Sequence, residues 1–164
     1  KTKRISKVID LVKIIENSKR KNYKKKINIC TKTFQALRIF VNKETSELIE
    51  GVIKATKFLR SGGKIIIITF HSIEDKIIKF YFNNYSINKS KPSRYLPEDK
   101  VHSSILFQSK NKFLIPKNEE IKINPPSRSA KLRFAIRSDE NFTEPKELKN
   151  KFQKYLNLEE LNVK

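Results

Sequence analysis

The sequence has no methionine, one cysteine, three glycines and fewer than half as many acidic as basic residues. Without methionine it holds no start residue of its own and reads as a piece of a longer product. The single cysteine, Cys30, excludes an internal disulfide framework and a Cys-rich zinc site, so no metal is expected. A lone cysteine fits a reducing compartment and reads as a small buried hydrophobe. Gly51, Gly62 and Gly63 form neither a G-x-G nor a G-x-x-x-x-G-K loop, so no backbone cradle for a nucleotide is written here. An adenosine-type cofactor would be gripped by residues outside this sequence. No apolar run approaches the ~18 residues that span a bilayer, and the charged first residues lack a following apolar core. An intracellular, cytoplasmic chain with no membrane partner is expected.

The shortage of acid leaves a large positive charge. Thirty-seven Lys and Arg stand against 17 Asp and Glu, a formal +20 over 164 residues, which makes a polyanion the natural partner: nucleic acid first, an anionic surface second. Any single lysine is read equally well as solvated decoration. The length suffices for one domain with a real core.

The most organised stretch is LRSGGKIIIITFHSIEDKIIKFYF, residues 59–82. Gly62 and Gly63 end an amphipathic segment. Residues 64–70 then form a short β-branched apolar run of the kind that makes a central strand covered on both faces. His71 and Ser72 leave its carboxyl end. Ser72, with Asp75 three residues on, reads as a capping box opening a helix that carries Ile73, Ile77, Ile78 and Tyr81. Ligands of open α/β sheets sit outside the carboxyl ends of strands, so His71 and Ser72 are the candidate catalytic pair.

Elsewhere the periodicity predicts an amphipathic helix over 5–15, followed by a basic run, Lys19, Arg20, Lys21, Asn22, Tyr23, Lys24, Lys25 and Lys26. Such a run tracks phosphates, with Tyr23 stacking on a base, or serves as a flexible connector. In residues 33–42, Gln35, Arg38 and Asn42 share one polar stripe of an otherwise apolar, largely buried helix, facing a satisfied network or a wet cleft. Residues 43–60 predict a helix with Leu48, Ile49, Val52, Ile53, Ala55, Thr56 and Leu59 inward. Residues 83–112 read as a mobile surface loop with a short extended piece at 105–108, then a brief strand at 112–116 and a helical turn at 118–123. Residues 131–138 alternate inward Leu132, Phe134 and Ile136 with outward Arg133 and Arg137. A charged helix with Leu148, Phe152, Tyr155 and Leu156 follows Pro145.

Three stretches, TKTFQALRI (31–39), GGK leading into TFHSIEDK (62–64 and 69–76) and NPPSRSAKLR (124–133), resemble in order and spacing the bacterial small-subunit ribosomal RNA cytosine-N4 methyltransferase family, subfamily H. The resemblance runs to about Arg137. It implies an α/β chain: the second half of a class I, Rossmann-like, S-adenosylmethionine-dependent methyltransferase sheet, preceded by the end of a helical inserted domain. It divides the chain at 1–27, the helical end and connector; 28–138, the catalytic half; and 139–164, a charged helix and tail. The implied donor is S-adenosylmethionine, held mainly by a first half lying outside this chain. The implied partner is small-subunit ribosomal RNA or the small ribosomal subunit. The edge that half a sheet leaves is prone to association, so a homodimer stays open. The family's usual His-Pro-Ala before Thr-Arg-Thr-Phe-Gln is here Asn28, Ile29 and Cys30, with Lys32 for Arg; Pro126 and Ser127 stand where Arg-Ala is common.

Methylating an exocyclic amine whose lone pair is delocalised into the ring requires that nitrogen to be held in line with the donor and assisted by hydrogen bonds. His71 accepts the proton or orients the base, and Ser72 bonds a base edge or phosphate; equally, Ser72 caps the helix and His71 is a structural bridge. Glu74 and Asp75 complement the helix dipole. Arg128, Lys131 and Arg133, with Gln35, Arg38 and the basic run, are candidate RNA contacts, or a solvated edge. The Asn124-Pro125-Pro126 sequence lacks the following aromatic of amino-group methyltransferases, since Ser127 stands there, so a DNA amino methyltransferase is the third reading. A non-catalytic RNA-binding or assembly module of the same fold is the second. Charge reversal at Lys24, Lys25 and Lys26 is expected to weaken RNA binding and flatten the slope of log affinity against log salt by about two. An unchanged slope assigns these lysines to solvation.

Overall fold

The computed structural model describes residues 5–18, 28–87, 105–108 and 113–161. The basic run at 19–26, most of the predicted loop at 83–112 and the last three residues lie outside the described residues. The chain divides into two units, Lys1–Glu44 and Thr45–Lys164. This division falls inside the stretch that the resemblance gave to the catalytic half, and it keeps the carboxyl-terminal helix in the second unit.

The first unit contains helix α1 (Val8–Ser18) and helix α2 (Thr31–Asn42). The entry to α2 is an Asx-type turn: the Asn28 side chain accepts from the Cys30 N–H at 2.8 Å, and Cys30 is buried as expected. The helix ends on Lys43, whose left-handed φ of 51° returns its N–H to the carbonyls of Ile39 and Phe40. The expectation of a largely buried α2 is corrected. Only Ile39 of this helix is buried, while Leu37 and Val41 are exposed, because the described residues cover the helix along a single seam.

The second unit opens with helix α3 (Glu44–Phe58), which buries Ile49, Val52, Ile53 and Thr56. Ala55, expected inward, is exposed. Gly62 at φ 74° donates to the Arg137 carbonyl, and Gly63 donates back to Arg60. A Cβ on Gly63 would lie 2.7 Å from Leu59 Cδ1, so this glycine lets the helix end pack against the start of the next strand. Strand β1 (Lys64–Thr69) follows, then helix α4 (Ser72–Asn84), strand β2 (Phe113–Leu114), helix α5 (Asn118–Ile123), a 3-10 turn (Pro125–Ser129), strand β3 (Lys131–Ile136) and helix α6 (Lys146–Glu159).

The sheet has the order β1-β3-β2, with β3 antiparallel to both neighbours. It follows that β1 and β2 run parallel to each other, joined through α4, with β3 inserted between them. Two expectations are corrected here. First, among the described residues β1 is an edge strand with one covered face rather than a central one: Ile65 and Ile67 pack on the core, whereas Ile66 and Ile68 are 61% and 54% exposed. Second, the faces of β3 are the reverse of those expected. Ile66 pairs with Phe134 and Ile68 with Leu132, so Leu132, Phe134 and Ile136 share the open face, while Arg133 and Ala135 are buried beneath α4. Alternation gives the period of a strand but not which side meets the helices.

The core lies between this sheet and helices α3, α4 and α6. Leu106 and Phe107, in the short extended piece expected at 105–108, are fully buried, and Phe107 bridges Ser86 and Arg137. Its ring meets Tyr81 and Phe82 edge-on, with centroids at 5.4 and 5.1 Å. Helix α6 docks Leu148 and Phe152, the latter edge-on to Phe80 at 5.8 Å. At its end the Glu159 carboxylate accepts from Thr45 N–H and Ser46 N–H, each at 2.9 Å, and from Ser46 Oγ at 2.5 Å, capping the first turn of α3. Burial pushes the Glu159 carboxyl up, but these bonds outweigh it and hold its pKa below the ordinary glutamate value. Phe107→Ala is expected to lower the unfolding free energy by about 3–5 kcal/mol, measured by urea titration. A loss below about 1 kcal/mol would mean that this segment is not part of the core.

Candidate active site

The site is built where the backbone of β1 stops pairing. Thr69 is the last strand residue, level with Lys131, and its Oγ1 donates to the Lys131 carbonyl at 3.3 Å. Because β3 runs antiparallel, its beginning and the preceding 3-10 turn lie at the same end of the sheet as His71 and Ser72. The expected motifs TFHSIEDK and NPPSRSAKLR are thereby brought together.

The turn into α4 is held by one glutamate. Glu74 Oε2 accepts from Phe70 N–H at 2.9 Å and from His71 N–H at 3.2 Å. In return His71 Nδ1 accepts from Glu74 N–H at 3.4 Å, while His71 Nε2 stands 3.2 Å from Glu74 Oε1. The cap of α4 is therefore His71, paired with Glu74, and not Ser72 with Asp75. The frame is shifted by one residue because the extended backbone of His71, φ −137° and ψ 165°, leaves Ser72 already helical. Ser72 is exposed at the first helical position, and His71 is half-buried.

Asp75, expected merely to complement the helix dipole, makes the strongest contacts. Its Oδ1 accepts from Arg133 Nε at 2.8 Å and its Oδ2 from Lys131 Nζ at 3.0 Å, which ties the first turn of α4 to β3. Burial raises the Asp75 pKa, but the hydrogen bonds and charges of Arg133 and Lys131 outweigh that penalty and hold it below the ordinary aspartate value. The Arg133 guanidinium also lies 5.1 Å from the centroid of the Phe113 ring. Arg133 is 4% exposed, so the expected outward phosphate contact is corrected to an internal ion pair. Arg137, also expected outward, is buried, and donates to the carbonyls of Leu106, Ser138 and Glu140. Lys131 keeps 40% of its side chain exposed beside Asp75, and Arg128 is exposed. Ser127 is buried, so the Asn-Pro-Pro loop presents no side chain at that position.

In the first unit the polar stripe of α2 is in use. Arg38 meets Glu44 through Nε at 2.8 Å and Nη2 at 3.1 Å, and Asn42 Nδ2 donates to Glu44 at 3.2 Å. Two members of the stripe, Arg38 and Asn42, thus share Glu44, with Arg38 still largely solvent-facing, and Gln35 is half-buried. Lys19, Arg20, Tyr23, Lys24, Lys25 and Lys26 lie outside the described residues. Two features of the turn were not expected from the sequence: the Phe70 N–H as a donor to Glu74, for which there was no local signal, and Glu74 as the partner of His71, for which the spacing His-x-x-Glu was the available signal.

The described residues thus define an α/β unit with a polar turn at the carboxyl end of its first strand. The chain belongs to the MraW methylase family, which matches residues 1–138. It is 42% identical over 132 residues to a protein of Agrobacterium fabrum named ribosomal RNA small subunit methyltransferase H, covering 79% of this chain and 38% of that protein. Proteins of the same name from Brucella anthropi and Caulobacter vibrioides are 38% and 36% identical, over 82% and 80% of this chain and 38% and 42% of their own lengths. The chain spans about two-fifths of the length of the curated relatives it matches. Among the described residues no helix is long and apolar enough to cross a membrane.

Asp75→Asn is expected to lower stability at neutral pH by about 3–5 kcal/mol, because it leaves Arg133 buried without its counter-charge. The sign with pH follows from the lowered pKa. Asp75 contributes fully above the unfolded value of about 3.9, and its contribution is lost as pH falls through the depressed folded value. Urea midpoints of parent and variant should therefore converge in acid; equal midpoints at neutral pH would refute the role.

Proposed function

We propose that this chain supplies the base-handling side of an S-adenosylmethionine-dependent enzyme that methylates N4 of a cytosine in small-subunit ribosomal RNA in the cytoplasm. The observation that carries this reading is the junction of β1 and α4, where an exposed serine and a glutamate-paired histidine sit at a strand's carboxyl end in a chain of the MraW methylase family. The names of the relatives support the ribosomal RNA substrate. The parallel β1 and β2 flanking an inserted antiparallel β3 accord with the second half of a class I sheet. The free edge of β1 and the exposed Ile66 and Ile68 are where the rest of such a sheet would continue.

The described residues do not fit the donor. Gly62 and Gly63 lie at the opposite end of β1 from His71, one serving a turn and the other the packing on Leu59, and neither forms a cradle. The donor is therefore assigned to residues other than the described ones. On this reading Ser72 Oγ bonds a base edge or a flanking phosphate. His71, whose Nδ1 accepts from the Glu74 N–H, carries its hydrogen on Nε2, 3.2 Å from Glu74 Oε1, and orients that carboxylate, which receives the proton that N4 loses as its new bond forms. Lys131 and Arg128 hold the RNA backbone at the same end.

The test requires a polypeptide that also contains the donor-binding portion. Given labelled donor and small-subunit particles, it should yield N4-methylcytidine on nucleoside analysis. RNA binding without methylation would favour the second reading, a non-catalytic RNA-binding module, which the strong positive charge also suits. Within that polypeptide His71→Asn keeps a side-chain acceptor for the Glu74 N–H, asparagine being among the best helix caps. It should lower the single-turnover rate about 10²-fold while RNA affinity and thermal midpoint hold. An undiminished rate would leave His71 as a cap alone.

A further inference from the structure

We propose that Phe70 is the stacking platform for the target base. This rests on the reading of the site as one that handles a nucleobase, but it is tested without any methyl transfer. A base presented for chemistry at its exocyclic nitrogen leaves its own stack and needs a flat apolar surface to hold the ring plane. The Asn124-Pro125-Pro126 loop does not supply one, since Ser127 is buried and carries no ring. Phe113 is partly occupied by the cations of Arg133 and Lys131, at 5.1 and 5.8 Å from its centroid.

Phe70 meets the requirement directly. It stands between the last paired residue of β1 and the histidine that caps α4, and the residue is 55% exposed. Singly exposed apolar residues are ordinary on protein surfaces. Here the backbone is fixed on both sides: Thr69 is paired with Lys131, and the amides of Phe70 and His71 share Glu74 Oε2 at 2.9 and 3.2 Å. The backbone that carries the ring is thus held in advance at the turn, which lowers the entropy lost when a base settles on it. Lys131 and Arg128, both reaching solvent at this end of the sheet, supply cations for the flanking phosphates. Phe70 also continues the exposed row of Ile66 and Ile68, so the competing role is an apolar contact with polypeptide outside this chain.

The chain contains no tryptophan, so Phe70→Trp creates a single fluorescent reporter. The probe is a short single-stranded RNA with one central cytidine, compared with the same RNA carrying an abasic sugar at that position. Phe58→Trp serves as the control, because Phe58 is 81% exposed in α3, distant in sequence from the strand-end turn. Stacking requires saturable quenching at position 70 by the cytidine RNA and little by the abasic one, with position 58 responding alike to both. Phe70→Leu should weaken binding of the cytidine RNA about tenfold without moving the thermal midpoint, and Phe70→Tyr should retain it. Equal responses to the two RNAs at position 70, or no quenching there, would overturn the proposal, as would a midpoint shift in Phe70→Leu with binding unchanged. Base-dependent quenching without methylation by the larger polypeptide would uphold the platform and reject the enzyme. Methylation by a Phe70→Leu enzyme with parental RNA affinity would do the reverse.

Discussion

The Asp75 carboxylate is the contact on which the rest of the second unit turns. It sits in the first turn of α4, yet its partners, Lys131 and Arg133, belong to β3, more than fifty residues further along the chain. A helix that follows a strand through a two-residue turn is free to swing about that turn unless something fixes its start. Here two charge-assisted hydrogen bonds at 2.8 and 3.0 Å fix it, one of them to an arginine that burial would otherwise strand. With α4 held against β3, the apolar side of β1 has somewhere to pack, and Ile77, Ile78, Tyr81 and Phe82 complete the core.

The same contact orders the turn between β1 and α4. Since Asp75 is committed to β3, the capping role passes to His71 and Glu74, and that pair fixes the amides of Phe70 and His71 in turn. Three consecutive residues, an aromatic, an imidazole and a hydroxyl, are thereby held at one strand end with little freedom left in their backbone. On the proposed function, such preorganisation is what a reaction at a weakly nucleophilic amine would require. The stability of the sheet–helix contact and the order of the site are one property seen from two sides.

Helix α6 repeats the device at a second place. Its Glu159 carboxylate caps α3 across more than a hundred residues of sequence, as Asp75 joins α4 to β3. Both carboxyl groups have lowered pKa values despite burial, so both junctions loosen in acid. Helix α6 lies beyond the stretch that matches the family, and in this chain it covers Phe80 and closes the core.

The sequence determined the elements, because their signals are local: the paired glycines before β1, the helical spacing of α3 and α4, the two-residue period of β3 and the proline ahead of α6. It also pointed to His71 and Ser72, since the end of an apolar strand is visible wherever the polar residues begin. What the tertiary structure alone decided was sidedness and partnership. The period of β3 is equally consistent with leucine or arginine inward, and in the fold Arg133 is the buried one, paired with Asp75. Likewise the one-residue shift of the helix cap depends on a carboxylate already engaged by a distant strand, a fact that no window of local sequence contains.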